Sequence, residues 1–276
     1  MSGIVSGRPA DAHATLARML ALEFSAATYN ILADAYVRPD RYPLSPPAAL
    51  APAPRRQLLL ARIAALDVDI LCLQEVEPAA HAAIAERLGD GYLGVHAPRR
   101  RRPDGASLFI RRGRFALTRD DTLHYTSSGS DAQLALIADL TIGTHRLQVA
   151  CTHLQWCRDD TPAEAHIGRA QLSELLDHLP PADIRLIAGD LNATSQSPVI
   201  RAASQRGFAL GAAKQRPWDT CNANRRPRKI DYLLHSPNLE PHPDPLTALH
   251  RDTPMPSLQE PSDHLPLRIT FRLGER

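Results

Sequence analysis

An apolar run that stops abruptly at polar side chains is the feature that most restricts the fold of this chain. It is clearest in residues 185–192 (RLIAGDLN), where the run ends at Asp190 and Asn192 follows two positions later. Because side chains alternate along an extended strand, positions 190 and 192 lie on the same face. The segment therefore predicts a buried strand that presents a carboxylate and a carboxamide together at its end.

Five other segments share this pattern. They present Asn30, Glu75, His153, Asp231, and the pair Asp263 and His264. One such group is most often a solvated cap or a packed histidine, but six coincident strand ends favour a common site. Hydrolysis of a phosphate ester needs carboxylates that hold a hard divalent cation, a base for water, and donors for the developing negative charge. The six segments together predict that chemistry.

The order of these motifs resembles the endonuclease/exonuclease/phosphatase superfamily, whose members include DNase I. The resemblance runs from about Phe24 to Phe271, nearly the whole chain. A finer resemblance is to the branch of deadenylases, nocturnin and the Angel proteins. It rests on residues 29–36 (YNILADAY), the proline-rich insert before Arg55, residues 73–77 (LQEVE) and residues 152–156 (THLQW). The resemblance implies an α/β fold, a four-layer α/β sandwich in which two stacked mixed β-sheets are flanked by helices.

Hydrophobic periodicity and turn residues predict the secondary structure. Strands are expected at 22–31, 68–74, 106–111, 133–141, 146–152, 184–189, 229–234 and 266–272, and helices at 55–66, 79–88, 161–179 and 195–207. Two proline-rich inserts, 38–54 and 236–261, are expected to be loops over the rim of the site, and 99–105 another mobile loop. Because the site residues are spread from position 30 to 264 and must converge, residues 21–276 are predicted to form a single catalytic domain. Residues 1–20 are predicted to be a loose N-terminal arm.

Composition narrows the class of protein further. A chain of 276 residues can bury a sizeable core, and no apolar stretch approaches the roughly 18 residues that span a membrane. The start of the chain lacks the apolar core of a secretory signal, so a cytoplasmic monomer without membrane partners is expected. The four cysteines show no Cys-x-x-Cys spacing, which predicts neither a structural zinc site nor disulfides.

Arginine carries almost all of the positive charge, since lysine occurs only at 214 and 229. Three arginine runs, at 99–102, 111–114 and 225–229, are expected to lie next to the motif segments, where they could grip phosphates. The codon preference of a GC-rich genome explains the abundance of arginine equally well, so this interpretation stays open.

The family resemblance assigns roles to the metal-binding candidates. Glu75 is expected to bind Mg²⁺ (or Mn²⁺), a cation that typically needs one or two carboxylates besides waters and substrate oxygens. Asn30 would orient Glu75 and reach towards the cation. Asp263 would be a second acidic group near the metal.

The resemblance also assigns the catalytic candidates. Asp190 would be the general base for the attacking water, and Asn192 would donate a hydrogen bond to the phosphate. His264 would contact the scissile phosphate while Asp231 keeps it protonated. His153 would be the second imidazole on the phosphate. A Ser-His-Asp hydrolase triad is excluded because the chain has no Gly-x-Ser-x-Gly elbow.

The substrate-binding candidates show where this chain departs from its branch. Deadenylases of that branch place adenine between a proline and a phenylalanine, and the corresponding positions here are Arg158 and Arg226. Guanidinium groups can stack on a base, but they bind phosphate more readily, which argues against poly(A) specificity. Trp156 and Asn222 are further substrate-binding candidates. Weaker candidates are Asp34, Tyr36, Ser107 and Trp218.

Three functions follow from these observations. The favoured one is a Mg²⁺-dependent phosphoesterase of nucleic acid that acts on RNA 3′ ends, either as a 3′-exoribonuclease or as a phosphatase of 2′,3′-cyclic or other terminal phosphates. The alternative substrate is a small phosphorylated metabolite or nucleotide cofactor, because fold and family do not choose between the two. The remote alternative is a non-catalytic binding module, which would need a lost catalytic group, whereas all six segments are intact.

Overall fold

A computed structural model describes residues 22–127, 133–212 and 219–274. The predicted N-terminal arm and Trp218 lie outside these described residues. In chain order the strands are β1 (Glu23–Asn30), β2 (Ile70–Val76), β3 (Tyr92–Pro98), β4 (Gly105–Arg111), β5 (Ala116–His124), β6 (Leu134–Ile142), β7 (His145–His153), β8 (Ile184–Asp190), β9 (Ala209–Leu210), β10 (Asp231–His235), β11 (Leu239–Pro243) and β12 (Leu267–Leu273). The α-helices are α1 (Pro47–Leu50), α2 (Pro52–Leu66), α3 (Pro78–Leu88), α4 (Ile167–His178) and α5 (Pro198–Gln205).

The described strands form two six-stranded sheets, in the orders β11-β12-β1-β2-β4-β3 and β5-β6-β7-β8-β10-β9. Both sheets are mixed, because β1 with β2 and β7 with β8 are parallel pairs among antiparallel neighbours. The sheets face each other across a core to which both contribute, with Phe24, Ile70 and Leu108 from the first and Leu136 and Val149 from the second. Burial of this apolar surface is the main force that holds the sheets together.

Helices cover the outer face of each sheet. On the first sheet, Leu59 and Ile63 of α2 and Ile84 of α3 pack against buried strand residues. On the second sheet, the buried faces of α4 and α5 do the same, with Leu172 and Val199 in that cluster. The order helix, sheet, sheet, helix is the predicted four-layer α/β sandwich, and this prediction is confirmed. No helix in the described ranges has the length and apolar character needed to cross a bilayer.

Local sequence explains where two of the helices begin or end. The helix α3 stops at Gly89, which adopts φ 64°, a left-handed conformation that glycine takes without penalty. The helix α5 begins after Ser197, whose side chain accepts a hydrogen bond from the backbone N–H of Ile200. Both positions agree with the sequence-based expectation within a few residues.

The helix predicted from residue 161 was placed too early. The Thr-Pro-Ala-Glu pattern suggested a capping box at Thr161, but α4 begins at Ile167 and its N-cap is His166. The Nδ1 atom of His166 accepts the hydrogen bond from the backbone N–H of Arg169, at 3.2 Å. Thr161 instead accepts a hydrogen bond from the Cys157 thiol. Residues 157–165 form a loop with turns before the helix.

Four strands, β3, β5, β9 and β11, were missed by the sequence analysis. They are the four edge strands of the two sheets. The strand β5 (ALTRDDTLH) is largely polar, and β11 (LEPHP) contains two prolines, which edge strands tolerate because one side makes no ladder hydrogen bonds. The expectation that residues 236–261 form only a loop was therefore wrong at β11. The insert 38–54 likewise contains α1 rather than loop alone.

Candidate active site

The polar strand ends predicted from sequence meet where the strands of both sheets end, on the side of the sandwich that we call the site edge. The other ends of the same strands form the opposite edge. Parallel pairing places Asn30 at the end of β1 beside β2, which ends just past Glu75. The second parallel pair places His153 of β7 opposite Asp190 of β8. The antiparallel strand β10 begins at Asp231, directly opposite Asp190. Residues 262–264 precede β12, which runs antiparallel to β1 and so starts at the same edge.

Two backbone features turn these groups into the site. A β-carbon at position 189 would collide with the carbonyl oxygen of Thr152 on β7, so only glycine lets β8 approach β7 this closely just before Asp190. Glu75 adopts φ 57° at a bulge in the pairing of β2 with β4. Non-glycine residues rarely occupy this left-handed region, and such strain tends to occur at functional sites. Asn192 has a similar conformation, with φ 49°.

Asn30 joins the two sheets at the site. Its amide nitrogen donates to Glu75 Oε1 at 3.2 Å and to Asp190 Oδ2 at 3.1 Å. Its own oxygen accepts a hydrogen bond from the backbone N–H of Leu32, at 3.1 Å. The side chain is buried, so its orientation is fixed on both sides. Asn30 therefore sets the positions of one carboxylate from each sheet.

Asp190 lies between the two imidazoles of the site. Its Oδ2 atom is 3.5 Å from His153 Nε2 and 3.6 Å from His264 Nε2. Its Oδ1 atom accepts the backbone N–H of Asn192 at 2.9 Å. The Asn192 amide nitrogen also lies 3.0 Å from His153 Nε2. Because an amide nitrogen only donates, His153 Nε2 is the acceptor of this contact, and His264 Nε2 is the imidazole nitrogen left to face Asp190 as a donor.

His264 is held by a buried carboxylate. Its Nδ1 atom lies 2.8 Å from Asp231 Oδ2, and the same oxygen accepts the Thr220 hydroxyl at 2.6 Å. Burial by itself lowers the pKa of His264, but the charge of Asp231 outweighs it, aided by Cys221 and Asp190, and raises that pKa well above its ordinary value. The geometry favours a protonated imidazole whose Nε2–H faces Asp190 and the space in front of it.

Glu75 and Asp263 lie close enough for the negative charge of one to act on the other. Burial is the main cause that raises the pKa of Glu75, and the charge of Asp263 adds to it while His153 opposes it. The Tyr42 hydroxyl donates to Asp263 Oδ2 at 3.2 Å. Two partly shielded carboxylates whose charges repel each other are the donor set that Mg²⁺ or Mn²⁺ would neutralise. The residues present therefore fit a divalent metal ion.

The four substrate-binding candidates occupy different environments. Trp156 is 56% exposed, and Arg226 is also exposed. Arg158 is exposed and donates twice to Asp160, at 2.9 and 2.6 Å. Asn222 is buried, and its amide nitrogen donates to the carbonyl oxygens of residues 250 and 253, at 3.0 and 2.7 Å. The structure thus places Asn222 as a support of the 250–253 loop, whereas the other three are on the surface.

The weaker candidates are tied to neighbouring side chains. Asp34 pairs with the guanidinium groups of Arg55 and Arg56. The Tyr36 hydroxyl donates to Asp104 Oδ1 at 2.6 Å. The Ser107 hydroxyl lies 3.0 Å from the Nδ1 atoms of two stacked histidines, at positions 81 and 96.

The arginine runs are divided between the two edges of the sandwich. Arg99 belongs to the β3–β4 turn at the site edge, where it pairs with buried Asp104 at 2.7 Å. The same two residues also close the turn through the backbone, since the Arg99 N–H donates to the Asp104 carbonyl oxygen at 2.9 Å. Arg111 pairs with Asp69 at the start of β2, which is the edge opposite Glu75. The expectation that all three runs lie next to the motif segments is wrong for residues 111–114, because β4 runs antiparallel to β2 and carries them away.

Two contacts of the site escaped the sequence analysis. Thr220 binds Asp231 with its side chain, and Tyr42 of the proline-rich insert reaches Asp263. Neither ends an apolar run, so the pattern that identified the other residues could not find them. The signal for Thr220 was its place two residues before Asn222 in a candidate segment. Tyr42 had no local signal, because its contact joins positions 221 residues apart.

A four-layer sandwich with carboxylates, amides and imidazoles gathered at one edge defines the class of DNase I-like folds. More specifically, this chain belongs to the Endonuclease/Exonuclease/phosphatase family, whose model matches residues 27–264. The superfamily resemblance recognised from the motifs is thereby confirmed.

Sequence relatives support the finer resemblance to the branch of deadenylases, nocturnin and the Angel proteins. Nocturnin of Rattus norvegicus is 27% identical over 292 aligned residues, covering 90% of this chain and 65% of nocturnin. The Ccr4 3′-5′-exoribonuclease subunit of the CCR4-Not complex of Yarrowia lipolytica is 24% identical over 340 residues, covering 90% of this chain and 48% of Ccr4. This chain spans less than half the length of the Ccr4 proteins of Coccidioides immitis, Kluyveromyces lactis and Yarrowia lipolytica.

Solved structures show the same fold. The crystal structure of ANGEL2, a 2′,3′-cyclic phosphatase, in complex with adenosine-2′,3′-vanadate matches with a TM-score of 0.78 at 20% identity, covering 92% of this chain and 97% of that one. The human nocturnin catalytic domain with bound sulfate matches with a TM-score of 0.67 at 24% identity, covering 91% and 93%.

The pair of Asp231 and His264 gives a testable pH dependence. The Asp231 charge raises the pKa of His264, so a His264 that must be protonated loses function only when the pH rises through this raised value. Asp231→Asn removes the charge, and the alkaline limb of the rate profile should therefore shift to lower pH. The measurement is kcat/KM against pH, with Asp160→Asn as control. An unchanged alkaline limb would show that the imidazole works in its neutral form.

Proposed function

We propose that this protein is a divalent-metal-dependent phosphoesterase that acts at the 3′ ends of RNA. It would work as a 3′-exoribonuclease or as a phosphatase of 2′,3′-cyclic or other terminal phosphates. The observation that carries the proposal is the position of Asp190, within 3.6 Å of two imidazole nitrogens and joined through Asn30 to Glu75. We further propose that residues 21–276 form one catalytic domain, since the site draws on strands from both sheets.

The chemistry follows from the placement of these side chains. Asp190 would orient a water molecule and accept its proton as the water oxygen bonds to phosphorus and the bond to the leaving oxygen breaks. Mg²⁺ or Mn²⁺ held by Glu75 and Asp263 would supply charge neutralisation at the phosphate. His264 would donate a hydrogen bond from Nε2 to a phosphate oxygen, where negative charge grows in the transition state, and His153 would be the second imidazole beside the phosphate.

The names of the relatives favour RNA 3′ ends over other phosphate esters. Ccr4 is named a 3′-5′-exoribonuclease, and the ANGEL2 structure is described as a 2′,3′-cyclic phosphatase. Two imidazoles beside one carboxylate suit either reaction, because in both reactions water attacks the phosphorus of a phosphodiester. A small phosphorylated metabolite or nucleotide remains the competing substrate, favoured by the exposed Arg226 at a position where an adenine-binding relative carries an aromatic ring.

A direct comparison of substrates tests the proposal. RNAs of one sequence that end in 3′-OH, 3′-phosphate or 2′,3′-cyclic phosphate would be incubated with the protein and Mg²⁺ or Mn²⁺, beside mononucleotide cofactors. We expect turnover of at least one RNA end, together with slow hydrolysis of bis-p-nitrophenyl phosphate, and loss of both on chelation of the metal. Turnover of nucleotide cofactors alone would move the assignment to the small-molecule substrate. A protein inert towards all of them would be a binding module.

Arg226 offers a prediction about specificity. Because it is exposed where an adenine pocket would need an aromatic ring, we expect no preference for poly(A) over other RNA sequences. A guanidinium that contacts phosphate contributes a charge-assisted hydrogen bond, so Arg226→Ala should lower kcat/KM about 10- to 100-fold. The loss should shrink as salt rises, since screening already weakens such a contact.

Two control variants sharpen this test. Arg158→Ala should lose less than Arg226→Ala, because the Arg158 guanidinium is already bound to Asp160 through two hydrogen bonds. Arg112→Ala, at the opposite edge of the sandwich, should leave kcat/KM unchanged. Selective trimming of poly(A), with Arg226→Ala as active as the parent, would contradict the phosphate-binding role.

A further inference from the structure

The Cys221 thiol lies beside the site residues, and it has no step of its own in the proposed hydrolysis. Cys221 is fully buried and follows Thr220, which binds Asp231. Its backbone pairs with that of His264 in an isolated β-bridge, which fixes the two side chains next to each other. The sulfur accepts a hydrogen bond from the backbone N–H of Ala223 at 3.3 Å. The thiol is therefore held in place from two sides.

Three chemically different ligand atoms converge here. One ligand atom each from Cys221, Asp263 and His264 lies within 4.8 Å of the other two, and all three residues are buried. His264 Nδ1 is bound to Asp231, which leaves Nε2 as the free ring nitrogen. The described residues contain a second such group, Asp190 with Asp231 and His264, but it offers only carboxylates and the same imidazole. The thiol sets the first group apart.

Sulfur, nitrogen and oxygen donors select a different cation from the one that carboxylates select. Mg²⁺ prefers oxygen ligands, whereas Zn²⁺ accepts thiolate, imidazole and carboxylate together in tetrahedral geometry. Zn²⁺ bonds to these donors are about 2.0–2.3 Å long, so atoms that lie within 4.8 Å of one another can surround one Zn²⁺ after a small movement inward. Three protein ligands leave a fourth position for water or a phosphate oxygen.

We propose that Cys221, Asp263 and His264 form a second cation site, which takes Zn²⁺ and thereby inhibits the enzyme. Binding releases two protons to solvent, one from the Cys221 thiol and one from Nε2 of the protonated His264 imidazole. It withdraws His264 Nε2 from the phosphate and Asp263 from the catalytic cation, so the two cations compete for one side of the site. The inhibitory part rests on the proposed phosphoesterase function, while the binding part does not.

Co²⁺ serves as a spectroscopic probe for the binding part, because a bond between Co²⁺ and thiolate absorbs in the near ultraviolet. Titration of the full chain with Co²⁺ should produce this charge-transfer band. Cys221→Ser should abolish the band, whereas Cys157→Ser, which changes a thiol on the 157–165 loop, should keep it. Glu75→Gln should also keep it, because Glu75 belongs to the catalytic metal site alone. The readout needs no substrate, so it is independent of whether the phosphoesterase proposal holds.

Zn²⁺ inhibition tests the second part. With Mg²⁺ present and bis-p-nitrophenyl phosphate as substrate, the activity of the parent and of Cys221→Ser at each Zn²⁺ concentration is expressed relative to the activity of the same protein without Zn²⁺. The Zn²⁺ concentration for half inhibition should rise in Cys221→Ser by more than about 10- to 100-fold, since loss of an outer-shell partner alone costs that much and here a direct ligand is lost. Equal inhibition of Cys221→Ser and the parent would overturn the inhibitory role. A parent spectrum without the Co²⁺–thiolate band would overturn the site itself, whatever the variants do.

Discussion

Asp190→Asn is expected to lower kcat by about 10³-fold or more, because it removes the proposed general base without much change in shape. The Asn192 backbone N–H, 2.9 Å from Asp190 Oδ1, can still be accepted by the new amide oxygen. The other half of the new amide would face the Asn30 amide nitrogen, now 3.1 Å from Oδ2, and this costs some stability. The measurement is hydrolysis of bis-p-nitrophenyl phosphate at saturating metal, with thermal unfolding to show that the variant is folded.

The control for this variant is Asp160→Asn, which alters an exposed carboxylate that pairs only with Arg158 among the described contacts. It should hydrolyse the substrate like the parent. A folded Asp190→Asn enzyme that lost less than tenfold would transfer the role of base to His264 or His153.

Glu75→Gln should abolish metal-dependent turnover while the protein stays folded. Glu75 sits at the bulge of β2, and its Oε1 accepts the Asn30 amide at 3.2 Å. Glutamine can keep one such contact but loses the charge that a divalent cation needs, and only one or two carboxylates typically serve Mg²⁺. The checks are turnover across a range of Mg²⁺ and Mn²⁺ concentrations and calorimetric titration of Mn²⁺.

A carboxylate two residues further on provides the matched control. Glu77 accepts the backbone N–H groups of Asp34 and Ala35, at 3.1 and 3.3 Å, outside the group of site residues. Glu77→Gln should therefore bind Mn²⁺ and turn over substrate as the parent does. If Glu75→Gln reached the parent rate at saturating Mg²⁺, Glu75 would not be the metal ligand.

The sequence analysis predicted the central strands of each sheet and missed the edge strands. The eight strands found from apolar runs are the eight with neighbours on both sides, and a strand buried in this way must be apolar to pack between layers. An edge strand has one exposed flank and needs no such run, so β5 with its charged residues and β11 with its prolines carried no detectable signal. The fold class could still be predicted, because the central strands and the helices between them define it.

The candidate site shows the same division. Asn30, Glu75 and Asp190 were found because each closes an apolar run, and the structure brings Glu75 and Asp190 each within hydrogen-bond distance of Asn30. Tyr42 was missed because it acts through a contact between distant positions. The location of the arginine run at 111–114 was predicted wrongly for the same reason, since local sequence does not say which end of an antiparallel strand faces the site.

Hydrogen bonds that join distant parts of the chain at the site also determine when the site can form. Asn30 accepts a hydrogen bond on its backbone oxygen from the Ser262 hydroxyl, at 2.7 Å, and the two residues are 232 positions apart. A contact this remote in sequence closes a long loop, and the loop must lose entropy before the contact forms. During synthesis on the ribosome, the nascent chain would therefore carry no assembled phosphoesterase site until Ser262 had emerged. For the proposed RNA substrate, this means that the protein would not act on the messenger that encodes it for most of its translation.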